Sequence, residues 1–392
     1  MEVVVIGGAG HVGLPFGLVV ADQGHQVVAY DTDASAVEKV LDGSMPFLEN
    51  GASELLAKVL EAGTFSASVD PAVVSDADVV VVVIGTPVDE HLNPDPSVVL
   101  DALIDLTDRF RPNQMVILRS TVFPGVTRRV EAWFADHHPG IDVAFCPERI
   151  AEGFALTEIV SLPQLVGART AEVSDRVVAF FETLGVQSIR VLPEEAELAK
   201  LFTNTWRYIK FAAANQFWMM ANEFGVDFEQ VRSAITTDYP RAADMPGAGF
   251  AAGPCLFKDT MQLAAFSGNS FALGNAAMMI NEGLPLYLIE RIEATHDLSD
   301  MTVGILGMAF KSDIDDNRSS LSYKLRKLLL FRAEHVLCSD PYVVDDRLVS
   351  QHRVLEEADL VVIATPHSVY RELDFQQPVV DLWNLTDQGV LI

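Results

Sequence analysis

Three features predict an α/β chain of two doubly wound domains joined by a long central helix and a helical middle domain: valine-rich runs alternating with amphipathic segments, a strand-into-glycine pattern at Val3–Gly7 that returns at Val303–Gly307, and one unbroken helical stretch between them. The runs Val3–Ile6, Val27–Tyr30, Val79–Ile84, Val116–Leu118 and Val143–Phe145 lack polar alternation, which suits parallel strands buried on both faces. Val98–Phe110 and Val126–His137 are long enough for crossover helices. The first domain continues through Leu165-Val166-Gly167 and a helix at 171–184 to a last strand near Ile189–Leu192.

From Glu194 to Phe224 no Pro or Gly interrupts the helical pattern, and a helix of that length spans about 45 Å. More helical sequence follows to about His296, broken by a loop over 238–253. At Met301 the opening texture returns, and Ala358-Asp359 through Thr365-Pro366 echoes Ala77-Asp78 through Thr86-Pro87. The predicted division is 1–193, a nucleotide-binding domain; 194–298, a helical middle and dimerisation domain; and 299–392, a second Rossmann-like domain.

Composition narrows the function. A formal charge of −28 repels nucleic acid and anionic lipid alike. Three cysteines, Cys146, Cys255 and Cys338, build no disulfide framework and lack metal-ligand spacing, so no metal is expected. No run of about 20 apolar residues is present, and the amino terminus enters a strand without a secretory pattern; the expected location is the cytoplasm.

Gly8-Ala9-Gly10-His11-Val12-Gly13 fits G-x-G-x-x-G. Its context makes it specific: a strand precedes it, a helix follows, and Asp31 ends the next strand 18 residues on. Such glycines let the backbone approach a pyrophosphate at a helix N-terminus. Asp31 accepts from a ribose diol and repels a 2′-phosphate, which selects NAD over NADP. His11 reads as a loop residue facing solvent or phosphate.

A second constellation carries reactivity. Pro254 suits the first position of a helix, placing Cys255 in the first turn, where the dipole and Lys258 favour a thiolate. Asp259 falls one turn on, on the same face. An inert buried cysteine at a helix start fits these residues equally well. Lys200 and Asn204 share a stripe of the long helix at i and i+4, a cation and an amide donor suited to one developing oxyanion. Glu148, in Cys146-Pro147-Glu148-Arg149, follows a strand at the carboxyl edge and is a candidate acid, base or water-holder, whereas Cys146 and Cys338 read as packing.

With these motifs in order, the chain resembles the UDP-glucose/GDP-mannose 6-dehydrogenases along essentially its whole length. Gly85-Thr86-Pro87, Ser120-Thr121-Val122-Phe123-Pro124-Gly125, Lys200-Leu201-Phe202-Thr203-Asn204, Gly253-Pro254-Cys255-Leu256-Phe257-Lys258-Asp259 and Gly307-Met308-Ala309-Phe310-Lys311 add to the resemblance. It implies that Cys255 is a nucleophile, that Lys200 and Asn204 stabilise oxyanions, and that Asp259, Glu148 and Thr121 handle water and protons. It further implies cofactor contacts at Thr86, Thr121, Lys258 and Arg318, and sugar-nucleotide contacts at Arg149, Phe250, Gly253 and Lys311. The activity implied is a four-electron, NAD-dependent oxidation of a UDP-sugar at C6 by a homodimer or higher oligomer.

The chain departs from the family pattern in having Ala251 and Ala252 where glycines are usual, and Ala36 where a basic residue is common. Cys-Pro-Glu-Arg together with Leu162-Pro163-Gln164 resembles the N-acetylhexosamine branch more than the UDP-glucose branch. The rivals are a two-electron β-hydroxyacid dehydrogenase and a non-catalytic nucleotide-sugar binder.

Overall fold

A computed structural model describes residues 1–86, 88–89 and 94–392, and the chain separates into two units, Met1–Thr203 and Asn204–Ile392.

In the first unit the strands are β1 (Glu2–Ile6), β2 (Gln26–Tyr30), β3 (Phe65–Ser68), β4 (Val79–Val82), β5 (Met115–Leu118), β6 (Asp142–Phe145), β7 (Gln164–Ala168) and β8 (Ser188–Val191). Among the described residues they form one sheet in the order β3-β2-β1-β4-β5-β6-β7-β8. Its helices are α1 (Gly13–Asp22), α2 (Ala34–Leu41), α3 (Ala52–Glu61), α4 (Val98–Ile104), α5 (Val126–His137), α6 (Ala155–Ser161) and α7 (Ala171–Thr183). The central valines explain the layering: Val3 and Val5 belong to one apolar cluster and Val4 and Ile6 to the other, so β1 is covered on both faces.

Two expectations are corrected. The predicted helix at 98–110 stops at Ile104 and gives way to a 3₁₀ turn at Thr107–Arg109. The sheet is not wholly parallel, because β7 runs antiparallel to β6, with Ala144 opposite Ala168. After β6 the chain stays at the carboxyl edge, where buried Glu49 accepts from Gly153 N and Ala155 N at 2.8 Å each. Only the two turns of α6 remain before β7, so no full crossover returns the chain to the other edge.

The helix α8 (Pro193–Phe224) is 32 residues, about 48 Å, and carries the chain from the first unit into the second. The second unit continues with α9 (Phe228–Thr236), α10 (Leu256–Phe266) and α11 (Ala272–Glu293). A parallel sheet comes next, in the order β10-β9-β11-β12, from β9 (Thr302–Leu306), β10 (His335–Ser339), β11 (Leu360–Ile363) and β12 (Val379–Asp381), with helices α12 (Leu321–Leu329) and α13 (Gln351–Glu357).

The sequence echo has a structural counterpart. Asp78 exchanges bonds with Glu2, accepting its N–H at 3.0 Å on the carboxylate and donating its own to the Glu2 carbonyl at 2.8 Å. Asp359 does the same with Thr302, at 2.8 and 2.9 Å. One aspartate thus sets the register of the β1–β4 pair in the first sheet and of the β9–β11 pair in the second.

Candidate active site

Beta-strand β1 runs straight into the glycine turn, and the left-handed residue is Gly7 (φ 75°), one position before the G-x-G-x-x-G motif. A Cβ there would lie 2.0 Å from the Val83 carbonyl oxygen. Gly7 and Gly8 both donate to the Tyr30 carbonyl, at 2.9 and 3.0 Å. Gly8 and Gly13 are required by packing, since a Cβ would meet Ala29 at 2.6 Å or the Gly7 carbonyl at 2.2 Å. Gly10 is not: its nearest neighbour would be 3.5 Å away. The protein does not need a glycine there, whereas a pyrophosphate approaching the backbone does.

Val12 is the N-cap of α1 and supplies no side-chain cap; in the first turn Leu14 donates to the Gly10 carbonyl at 3.0 Å and Pro15 has no N–H, which leaves the Gly13 N–H for a ligand. Asp31, half-buried one residue after β2, accepts from Ala9 N at 3.0 Å and from Asp33 N at 3.1 Å, one bond on each oxygen. Each oxygen keeps a lone pair, as recognition of a ribose diol requires. These residues fit NAD. The His11 ring stacks on Phe47 with centroids 4.1 Å apart.

Further along the carboxyl edge, the loops after β4 and β5 meet where the Thr86 hydroxyl donates to the Thr121 carbonyl at 2.6 Å. Pro87, third in its motif, lies outside the described residues. Glu148 is held by the Arg119 guanidinium and accepts from the N–H groups of Arg149 (2.7 Å) and Ile150 (3.1 Å). Arg119 is buried, stacks 4.3 Å over the Phe16 ring, and donates to the Gln164 side chain at 2.8 Å. The sequence motifs do not single out Arg119. The available signal was a charged residue closing an apolar strand run, just before Ser120-Thr121. Arg149 donates to the Pro163 carbonyl, and burial lowers its pKa.

On α8, Lys200 and Asn204 are both buried, one turn apart. Within the second unit the Asn204 amide donates to Asp259 Oδ2 at 2.6 Å, and Lys258 Nζ lies 3.6 Å from Asp259 Oδ1. Asp259 is fully buried, and its N–H closes the first turn of α10 onto the Cys255 carbonyl at 2.9 Å. Cys255 is the N-cap of α10 and exposed, so Pro254 precedes the helix instead of opening it. The other thiols differ. Burial pushes Cys146 up to about 12 and Cys338 to about 11, which suppresses their thiolates at neutral pH. Phe250 and Gly253 are buried, Lys311 is half-buried, and exposed Arg318 makes a two-pronged ion pair with Asp316.

Comparison with known proteins matches three family models in order. They are the NAD-binding domain (residues 1–185), the central domain (194–283) and the UDP-binding domain (304–388) of the UDP-glucose/GDP-mannose dehydrogenase family. The chain is 28% identical to a UDP-N-acetyl-D-mannosamine dehydrogenase of Pyrococcus horikoshii, over 96% of this chain and 92% of that one. It is 26% identical to an NDP-N-acetyl-D-galactosaminuronic acid dehydrogenase of Ralstonia nicotianae, over 94% and 91%. Among solved structures, a UDP-glucose dehydrogenase of Pyrobaculum islandicum superposes with a TM-score of 0.89 at 29% identity, covering 97% of this chain and 93% of that one. No helix among the described residues is long and apolar enough to cross a membrane.

Proposed function

Because the chain belongs to the UDP-glucose/GDP-mannose dehydrogenase family, we propose that it oxidises C6 of a UDP-N-acetylhexosamine to the carboxylate in two NAD-dependent steps. The names of the relatives that act on N-acetylated sugars and the Cys-Pro-Glu-Arg motif support the choice of sugar. The carrying observation is one exposed thiol at a helix start, Cys255, one turn from the buried Asp259–Asn204 pair.

NAD supplies the hydride acceptor for both steps. Gly8, Gly10, His11, Val12, Gly13 and Asp31 hold it, with Thr86, Thr121, Lys258 and Arg318 as further contacts. Loss of hydride from C6 and of the hydroxyl proton leaves an aldehyde. Cys255 Sγ then bonds to the carbonyl carbon while its proton goes to the oxygen, giving a thiohemiacetal. Loss of a second hydride and the hydroxyl proton gives a thioester. Water attacks it, the C–S bond breaks, and thiol and carboxylate result.

Lys200 and Asn204 donate to the oxyanion at each stage, and Asp259, Glu148 and Thr121 place water and move protons. Arg149, Phe250, Gly253 and Lys311 contact the sugar nucleotide. The covalent adduct keeps the aldehyde from escaping between oxidations.

The domains follow this division of labour: 1–193 for NAD, 194–298 for the nucleophile and subunit pairing, 299–392 for UDP. Exposed Trp206, Phe217, Met220 and Phe224 on α8 form an apolar stripe at helical spacing, which supports a homo-oligomer built on that helix. Light scattering giving a monomer mass would reject that pairing.

The decisive measurement is NADH formed per UDP-sugar consumed, across N-acetylmannosamine, N-acetylglucosamine, N-acetylgalactosamine and glucose substrates. Two per substrate is expected; one would establish the two-electron rival, and no turnover with any substrate would establish a binder. Cys255→Ser should lower net acid formation at least about a thousandfold. Full oxidation by that variant would sink the thioester route.

A further inference from the structure

The loop that leads into Cys255 is gripped at both ends by aromatic side chains from the segment matched as the UDP-binding domain. At one end Gly249 lies against Trp383, whose ring a Cβ would meet at 2.2 Å. At the other, Gly253 (φ 100°) lies against Phe310, whose ring a Cβ would meet at 2.6 Å, and its N–H reaches the Ser319 carbonyl at 3.4 Å. Two residues beyond Gly253 stands Cys255.

The gripping residues are themselves fixed. Phe310 closes the turn after β9 and donates its N–H to the Asp316 carbonyl at 2.9 Å, while the Ala309 carbonyl accepts from the hydroxyls of Thr365 (2.6 Å) and Ser320 (3.2 Å). The Trp383 indole donates to the Ala364 carbonyl at 3.1 Å. Opposite Trp383, the buried Asn215 of α8 pairs with Gly249 as a strand would, donating Nδ2 to its carbonyl at 3.0 Å and accepting its N–H at 2.9 Å. Asn281 secures that amide at 2.9 Å. The loop therefore has one rigid anchor on the long helix and two on the fold of the UDP-binding segment.

We infer that Phe310 and Trp383 are positioning residues that make the seating of Cys255 depend on whether UDP is bound. This rests on the UDP-sugar reading above and extends it. Lys311 follows Phe310 directly, so a diphosphate held at that turn acts on the backbone that carries the Phe310 ring. Close packing passes such a displacement on instead of absorbing it, because a ring in contact with a bare Cα has no slack. The device would hold the loop, and with it the thiol, in one fixed seat while a nucleotide is bound.

The test is alkylation of Cys255 by iodoacetamide in the full-length protein, followed by mass spectrometry, with and without saturating UDP; calorimetry measures UDP binding in parallel. In the wild type UDP should slow alkylation at least threefold by quieting the loop. In Phe310→Ala, with UDP affinity within threefold of wild type, UDP should leave the rate unchanged. Should that variant not fold, Phe310→Leu and Trp383→Phe carry the same comparison, each expected to lose at least half of the UDP effect. Undiminished UDP protection in a folded variant would mean direct shielding of the thiol and overturn the coupling. So would UDP that binds the wild type without altering its rate. Absence of UDP binding would overturn the substrate reading itself, and the coupling with it.

Discussion

In both units the first strand ends in a left-handed glycine, Gly7 (φ 75°) after β1 and Gly307 (φ 92°) after β9, and an aspartate one residue past the neighbouring strand reaches back to the turn. Asp31 accepts one turn N–H, from Ala9. Asp340 accepts two, from Met308 at 2.6 Å and Ala309 at 2.9 Å, and three more donors reach it: Tyr342 N, Val343 N and His367 Nε2. Asp340 and His367 side chains are fully buried, while Asp31 is half-buried. The chain also leaves the two turns differently, since α1 begins at Gly13 but α12 only at Leu321. One position in one fold thus keeps acceptor capacity when its lone pairs are left over, and becomes an internal tie when the protein consumes them.

The comparison breaks most visibly at Asp340. Asp340→Ala removes an acceptor from five donors, and chemical denaturation should show a loss of about 3–5 kcal/mol, against less than about 1 kcal/mol for Asp31→Ala. Equal losses would erase the distinction.

The pH dependence is the next largest effect. His367 and the N–H donors around Asp340 hold its carboxyl, despite burial, at about 2, below its ordinary 3.8. A depressed carboxylate contributes stability that is present above the unfolded value and lost as pH falls through the folded one. Between about pH 4 and 2 the wild type should lose about 2 kcal/mol more than Asp340→Asn. Parallel stability curves would show that Asp340 makes no such contribution.

Asp31→Ser should weaken NAD binding about tenfold, by removing a charged acceptor, and narrow the preference over NADP. Unchanged NAD titrations would remove Asp31 from the ribose. The smallest effect belongs to Gly10→Ala, which should shift folding stability by less than about 1 kcal/mol because nothing crowds its Cβ, yet weaken NAD several-fold. A large folding loss with intact NAD binding would reverse that assignment.

Valine runs, glycine spacing and the Pro/Gly-free stretch revealed two α/β units and a long helix, because strand burial and helix continuity are local demands written in composition. Asp31 and the Cys255 thiol were legible as candidates for the same reason, each standing at a fixed offset from a turn or helix start. The reversed β7 was not, since the contacts between β6 and β7 that hold the chain at one edge, Gly153 and Ala155 on Glu49, join residues about a hundred positions apart. Arg119 shows a middle case: its charge was visible, but its partner Glu148 lies 29 residues on and meets it only at the sheet edge.

The sequence by itself determined the elements and the chemical types at the site, down to a thiol, a lysine–amide stripe and an acid after β2. Only tertiary structure decided what each group has left to give. Which lone pairs of Asp31 and Asp340 are spent, which of three cysteines is exposed, and which rings close on Gly249 and Gly253 depend on neighbours distant in the chain. Burial and hydrogen-bond saturation are sums over such neighbours, and no local pattern records them.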